Sequence, residues 1–420
     1  MFVAPKGTRD ILPGESARFE KLVGIFARYA HRYGFGLIVS PIFEDVGVFN
    51  RGIGENSDVA RKEMYVFEDR SGRRLALRPE GTASVVRAFV QHHPVTPWKV
   101  WYLTPAFRYE QPQAGRYRQH HQLGVEVLGT DDATLDVEVI SLAWRFYEAI
   151  GLRQVTLMVN SMGHPACRAA YLELLRAHLK AHEGELCDEH RTLWPTNPLR
   201  VLDCKQPPCI RVTDQGPMLV DHLCDECRAH YDAVRDGLDA VGVAWSANPR
   251  LVRGFDYYTR TTFEFASAAM DSAQNAVGGG GRYDKLAEEL GGEPTSGIGF
   301  GSGLERLMLA LEAEGITTLD ESASDVFVVD TTGGGASLVL VEALRASGIS
   351  AQRAYDARSM KSQMKLADRS GARLAVLIGP RELESATVTI RDLRSDDTEG
   401  RQNSVALIDA VEQIRQLLTK

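Results

Sequence analysis

From Phe107 to Leu128, FRYEQPQAGRYRQHHQLGVEVL, apolar and polar residues alternate with a period of two in two runs. That period predicts a pair of strands whose successive side chains point to opposite faces. Phe107 and Tyr109 share one face of the first strand, Arg108 and Glu110 the other; in the second, Leu123, Val125 and Val127 stand opposite Gln122, Gly124 and Glu126. Between the runs, Gln111-Pro-Gln-Ala-Gly115 followed by Arg116 and Arg118 has the composition of a hairpin tip. The apolar faces belong on a core, and the polar faces then form a platform carrying Arg108, Glu110, Gln122 and Glu126.

Upstream, Phe19, Leu22, Val23, Phe26, Ala27 and Ala30 recur at helical spacing, predicting an amphipathic helix over 15–33 that ends at Gly34. A short apolar run, 37–39, meets Pro41, which restricts it to an edge or a strand end. Such an edge either closes the core or pairs with its own copy across a two-fold axis. Residues 51–74 suggest a mobile loop, then a hairpin around Ser71-Gly72. Leu75–Arg78 reads as a strand broken by Pro79, and a helix runs from Ala83, leaving Glu80 and Thr82 at the junction, where Thr82 is placed to cap. A helix over 136–150 and a strand over 154–159 follow. The stretch from Leu251, LVRGFDYYTRTTFEF, alternates like a strand and carries Arg253, Tyr257 and Tyr258. In GIGFGSGLERLMLAL, Gly297, Gly299, Gly301 and Gly303 alternate ahead of a helix with Leu304, Leu307, Met308 and Leu311 on its core stripe and Arg306 off it. This leaves a bare strip of backbone beside a guanidinium, suited to a flat base. Beyond the polar segment GITTLDESASD, strands and helices alternate to the end, predicting a small α/β domain with a largely parallel sheet. The whole is a multidomain α/β and α+β chain.

With 44% hydrophobic and 25% charged residues in 420, the composition is that of a globular protein of two or three domains. The N-terminal residues are broken by charge and proline before an apolar run develops, and no stretch reaches membrane-spanning length, so a cytoplasmic location and no membrane partner are expected. The net charge of -8 provides no general attraction for nucleic acid, so local patches such as Arg116 with Arg118 must supply it. From residue 325 onward 13 basic residues balance 13 acidic ones, and no binding role is visible from charge there. The glycines of AVGGGGRYDKL match neither a phosphate-binding loop nor a dinucleotide fingerprint.

Three features point to chemistry. On the platform Arg108 can grip a phosphate bidentately a short distance from carboxylates able to hold an amine or an imidazole. Glu80 at a strand-to-helix corner can receive an ammonium group. Six cysteines in so long a chain argue against a disulfide scaffold. Four of them, Cys204-x4-Cys209 and Cys224-x2-Cys227, lie in a mainly helical segment and leave two readings open, a structural zinc site or buried free thiols.

In this order the motifs resemble the bacterial-type histidyl-tRNA synthetases, class II aminoacyl-tRNA synthetases, over essentially the whole chain. The three class motifs correspond to the helix and strand ending at Pro41, the FRYE hairpin and GFGSGLERL; LVRGFDYYTRTTFEF, GGGGRYD and LRPEGT resemble the segments that select histidine. The resemblance implies an antiparallel catalytic sheet flanked by helices (1–165 and 241–318), a helical insertion (166–240), a linker (319–324) and a C-terminal α/β anticodon-binding domain (325–420). It implies a homodimer that uses ATP with Mg2+ to convert L-histidine to histidyl-adenylate and then charges tRNA(His). By the same resemblance Arg108 and Arg253 hold the α-phosphate from two sides, Glu110 accepts from the adenine amino group, and Arg306 covers the base or the terminal phosphate. Glu80 and Thr82, with Gln122 nearby, would take the amino group of histidine, Glu126 and Tyr258 its ring, and Tyr257 would line the pocket. The chain departs from the family at Gln111, where members often carry a second arginine in the loop that approaches the tRNA acceptor end. The rival reading is a non-catalytic, histidine-sensing paralogue, which would lose the arginines and the C-terminal domain.

Overall fold

The computed structural model describes residues 2–54, 59–255, 257–270, 275–317, 324–356, 358–395 and 402–419. Residues 319–323 of the expected linker and 55–58 of the expected loop lie outside them. The chain divides into two compact units, Met1–Asp320 and Glu321–Lys420.

The strands of the first unit are β1 (Gly36–Leu37), β2 (Phe43–Asp45), β3 (Val66–Glu68), β4 (Arg74–Leu77), β5 (Trp98–Phe107), β6 (Gln119–Leu128), β7 (Val155–Ser161), β8 (Ser246–Ala247), β9 (Thr259–Ser267), β10 (Ala276–Arg282) and β11 (Gly297–Gly303). Eight of them form one sheet in the order β1-β5-β6-β11-β10-β9-β7-β8, antiparallel except at its two ends, and β2-β4-β3 form a smaller sheet. The helix Glu15–Arg32 buries Leu22, Ile25, Phe26 and Ala30, while Ala133–Ala149 is capped by Asp132 accepting from the Thr134 N–H at 2.8 Å. Both pack on the face bearing Leu123, Val125 and Val127, which leaves Gln122 and Glu126 on the other face. The expected antiparallel sheet flanked by helices is therefore present.

Two expected strands are shorter than their alternation suggested. β5 stops at Phe107, because the Arg108 N–H donates to Arg118 O (2.9 Å) and the Glu110 N–H to Arg108 O (2.8 Å), closing a loop. Arg108 and Glu110 thus sit in the loop joining β5 to β6, not on a strand. Leu251–Tyr258 is irregular as well. Its start is held by Asn160 Nδ2, which donates to Leu251 O at 2.9 Å, and the strand begins only at Thr259. Between β7 and β8 run the helices Pro165–Ala181, Asp188–Leu193, Leu199–Leu202, Pro207–Asp214 and Asp225–Ala240, with an apolar cluster of their own that includes Tyr171, Leu175, Leu179, Val201 and Val212.

The second unit has β12 (Val326–Asp330), β13 (Ala351–Arg353), β14 (Leu374–Ile378), β15 (Thr387–Asp392) and β16 (Gln402–Ala406) in the order β13-β12-β14-β15-β16. Its sheet is mixed, not largely parallel: β13 and β14 flank β12 in parallel, while β15 and β16 add antiparallel. The short helix Pro380–Glu384 is all that joins β14 to β15, and a parallel crossover needs a connection of about a dozen residues or more.

Under the large sheet a buried ion pair ties three segments. Arg282, fully buried, donates through Nε to Asp136 (2.8 and 3.0 Å) and through Nη2 to Asp132 O (2.8 Å), while His230 Nε2 lies 2.9 Å from the same carboxylate. Removing one partner leaves the other charge buried without compensation. Arg282→Met is expected to lower unfolding free energy by about 3–5 kcal/mol, read from urea denaturation of the full chain.

Candidate active site

The polar face of the large sheet owes its shape to the register of β6 on β11. Glu126 pairs with Gly299, Gly124 with Gly301 and Gln122 with Gly303. A Cβ at Gly299 would lie 1.7 Å from Glu126 Oε2, and one at Gly301 would lie 2.3 Å from Gln122 Nε2. The alternate glycines therefore do more than bare a strip of backbone, as the sequence suggested. They make the room into which the polar side chains of β6 fold.

Glu126 is completely buried at the centre of this face. Three hydroxyls surround its carboxyl group: Thr82 Oγ1 and Tyr102 Oη donate to Oε1 at 2.7 and 3.1 Å, and Tyr283 Oη donates to Oε2 at 2.5 Å. Burial pushes Glu126 up to about 8, and the Glu80 carboxylate adds to the rise against the lowering by the hydroxyls. Without ligand, then, the group is largely neutral near pH 7. Tyr102 is not singled out by the sequence, and Tyr283 enters there only as part of GGGGRYD, with no role of its own. Tyr102 was hidden in an apolar run of β5, although its packing against Gly124 and Gly81 marks a shaped cavity.

Glu80 caps the helix Thr82–His92 by accepting from the Thr82 N–H (2.6 Å) and the Ala83 N–H (2.8 Å). The cap expected of Thr82 is supplied by Glu80, because Thr82 turns its hydroxyl to Glu126. Burial raises the pKa of Glu80, and these hydrogen bonds oppose the rise. Gln122 Oε1 accepts from the Gly81 N–H at 3.0 Å, directing its amide nitrogen along Gly301. The rings of Tyr257 and Tyr258 lie 4.7 Å apart and border the same recess as Glu80, Thr82 and Gln122.

This recess opens beside a cleft of about 500 Å³ lined by Arg108, Glu110, Arg116, His120, Arg253 and Arg306. Arg108 is oriented by donating to Pro79 O at 2.9 Å and lies over the Phe255 ring. Arg253 is held by Glu264 Oε2 at 2.9 Å and by Phe263 O, and Arg306 donates to Ala276 O at 2.9 Å. Glu110 is engaged by Arg116. All three candidate arginines thus converge on one cleft although they are spread over almost 200 residues of the chain. Desolvation, then Arg108 and Arg306, push His120 down to about 3, so it stays neutral among these cations. His120 was missed because its own strand residues gave it no distinguishing pattern. Gln111 is exposed on the Arg108–Arg118 loop, and Arg118 stacks on Tyr109, 3.8 Å from the ring centre.

The four cysteines read as one potential zinc site do not come together. Cys204 and Cys209 cluster with Cys187 and His190, whereas Cys224 and Cys227 cluster with His164 and Cys167. The helical segments between the two pairs keep them in separate clusters, and the missed partners are revealed only by His164-x2-Cys167 and Cys187-x2-His190 spacings.

Comparison with known proteins agrees with this geometry. A family model described as histidyl-tRNA synthetase matches residues 7–183 and 215–307, and an anticodon binding domain model matches 326–417. The histidine--tRNA ligase of Rhodococcus erythropolis is 47% identical over 423 aligned residues, covering 99% of this chain and 98% of the relative. That of Halothermothrix orenii is 45% identical with 99% of each chain covered. Among solved structures, apo histidyl-tRNA synthetase from S. aureus superposes with a TM-score of 0.81 at 35% identity over 99% of this chain and 100% of that one. A protein from Bacillus halodurans described as an ATP phosphoribosyltransferase regulatory subunit/histidyl-tRNA synthetase shares the fold, with a TM-score of 0.63 at 21% identity over 86% of this chain and 96% of that one.

The neutral state of Glu126 has a thermodynamic signature. Its folded pKa, about 8, lies above the ordinary carboxylate value, so the stability it contributes is fully present below that ordinary value and is lost as pH rises toward 8. Glu126→Gln, which imitates the neutral form, should therefore gain on the unmodified chain between pH 5 and pH 8. Denaturant melts at pH 5, 6.5 and 8 measure the difference; a gap that does not change with pH would mean an ionised carboxylate throughout.

Proposed function

The chain belongs to the histidyl-tRNA synthetase family, and from that premise we infer that it attaches L-histidine to tRNA(His) with ATP, through a histidyl-adenylate, releasing AMP and diphosphate. The observation that carries the reading is the meeting of two chemistries in one cavity system. A recess lined by Glu80 and by the hydroxyls of Thr82, Tyr257, Tyr258 and Tyr283, with Glu126 buried behind Thr82 and Tyr283, suits a small basic amino acid, and beside it three arginines face the space a triphosphate would occupy.

Histidine enters with its ammonium group toward Glu80 and Thr82. The Thr82 hydroxyl already donates to Glu126, so it meets the ammonium as an acceptor. Gln122, whose oxygen is taken by Gly81, offers its amide N–H beside them. The imidazole lies between Glu126 and Tyr258, with Tyr257 lining the pocket. A ring with two polar nitrogens needs two partners, and a site built to supply them rejects rings that lack them.

Arg108 and Arg253 grip the α-phosphate from two sides. As the carboxylate of histidine attacks phosphorus, negative charge builds on the equatorial oxygens, and fixed guanidinium groups stabilise it without reorganising. Glu264 and the Phe263 carbonyl hold Arg253 ready for this. Arg306 covers the base or the terminal phosphate, and Glu110 exchanges its contact with Arg116 for the adenine amino group. If Mg2+ accompanies ATP, it would supply screening of phosphate charge, and the carboxylates of Glu63 and Asp203 on the cleft wall are the groups that could hold it.

A second cleft, of about 420 Å³, adjoins the first between the insertion and the sheet and is lined by Arg61, Arg168, Arg176 and Arg200. We assign it, with the Gln111 loop, to the acceptor end of the tRNA, whose phosphates such a surface attracts. The anticodon end falls to the unit matched by the anticodon-binding model. A homodimer through the β1 edge accounts for the exposure there of Leu37, Val39, Ile42 and Phe43. No helix among the described residues is long and apolar enough to cross a membrane; a cytoplasmic location is proposed from the tRNA substrate alone. Against the histidine-sensing reading stand Arg108, Arg253 and Arg306 in one cleft and the match of the second unit.

Exchange of pyrophosphate into ATP tests the activity. Histidine should support it while proline and threonine do not, and Arg253→Ala should lower the rate by about 10²–10³-fold with histidine binding retained. Exchange that is unaffected by the substitution, or histidine binding with no exchange, would sink the reading. For the dimer, Val39→Glu should halve the mass measured by light scattering; an unchanged mass would exclude the β1 edge as the interface.

A further inference from the structure

The insertion carries two groups of side chains that neither the adenylation chemistry nor tRNA binding uses. In the first, His164 and Cys167 at the start of the helix Pro165–Ala181 face Cys224 and Cys227 at the start of Asp225–Ala240. In the second, Cys187 and His190 face Cys204 and Cys209. Within each group all four ligand atoms lie within 4.8 Å of one another. A tetrahedral Zn2+ with bonds of about 2.3 Å to sulfur and about 2.0–2.1 Å to nitrogen separates its ligand atoms by about 3.5–3.8 Å. The spacings observed scatter around these values, from 3.1 to 4.0 Å, so that shifts of a few tenths of an ångström would close each group on an ion. His164 Nε2 is 3.5 Å from Cys224 Sγ and 4.0 Å from Cys167 Sγ, and Cys187 Sγ is 3.9 Å from Cys204 Sγ and 3.1 Å from His190 Nδ1.

Two further observations favour metal over inert packing. Backbone N–H groups point at the sulfurs: Cys224 N–H at Cys167 Sγ (3.3 Å), Cys187 N–H at Cys209 Sγ (3.3 Å) and Gln206 N–H at Cys204 Sγ (3.4 Å). Such donors stabilise thiolates and orient metal-bound sulfur. Disulfides do not account for the groups, since all six cysteines are free and each group holds three, an odd number. Three thiolates and one imidazole are a common donor set of closed structural zinc sites.

We propose that the insertion binds two structural Zn2+ ions, one on His164, Cys167, Cys224 and Cys227 and the other on Cys187, His190, Cys204 and Cys209. Each thiol gives up its proton to solvent as it binds. In the first site, binding at Nε2 leaves the ring proton on Nδ1 and replaces the 3.2 Å cap from the Cys167 N–H. The ions staple the insertion to the active site. The first joins the two ends of the insertion next to Arg168, which donates to Tyr258 O in the amino-acid recess. The second anchors Cys204 directly after Asp203, which with Arg200 lines the arginine cleft.

The test is metal analysis of the full chain, purified without chelator, repleted with zinc and dialysed. Two zinc ions per chain are expected, with X-ray absorption showing about three sulfurs at 2.3 Å and one nitrogen near 2.0–2.1 Å around each. Cys209→Ser and Cys227→Ser should each retain one ion, and the combined variant none. The unmodified chain decides the matter even if a variant fails to fold. Fewer than two equivalents of zinc in that chain, a different metal in its place, or one ion shared between the two cysteine pairs would overturn the proposal.

Discussion

The burial of one carboxyl group, that of Glu126, sets the terms for everything around it. A carboxyl with no access to water is destabilising unless its oxygens find partners. Here Thr82, Tyr102 and Tyr283 supply them from three separate segments. Those segments must in turn be brought within reach, which requires the corner at Glu80, the straight hairpin of β5 and β6, and a β11 residue without a side chain at Gly299. The recess is therefore shaped before any ligand arrives. Preorganisation of this kind lets binding energy go into recognition and transition-state stabilisation, with little left to rearrange.

Next to that hub the charges change sign. Arg108, Arg253 and Arg306 reach the cleft from a hairpin loop, an irregular segment and the start of a helix, and each is fixed by a carbonyl or carboxylate behind it. The division of labour follows from this contrast. On one side burial raises the carboxyl pKa values of Glu80 and Glu126, whereas on the other permanently charged guanidiniums line the cleft; the proposed function puts the basic ring on the first side and phosphate on the second. His120, kept neutral between them, adds no further charge to the cleft.

Much of this was legible in the order of residues. Period-two alternation marked β6, and helical spacing marked Glu15–Arg32 and Leu304–Ala313, because in each case one face packs on a core. Alternation misled where backbone hydrogen bonds close a loop before the strand could continue, at Arg108 and Glu110, and where a side chain such as Asn160 takes up a segment's carbonyls, at Leu251. The glycines of β11 were recognisable as special, but their purpose was not, since the residues they make room for lie on another strand. Tyr102 and Tyr283 share that obstacle, lying 24 and 157 residues from Glu126; in the two Cys3His groups the close pairs are visible as x2 and x4 spacings, but which pair meets which is set by the fold.

The central claim is that the recess around Glu126 recognises both nitrogens of an imidazole. Calorimetric titration of the full chain with histidine and with its two ring-N-methylated isomers tests it most directly. Histidine should bind, and each isomer should bind at least about tenfold more weakly, because a methyl group replaces a hydrogen bond that a buried polar partner needs. If either isomer bound as tightly as histidine, one ring nitrogen would have no partner in the site, and the role given to Glu126 and Tyr258 would be wrong.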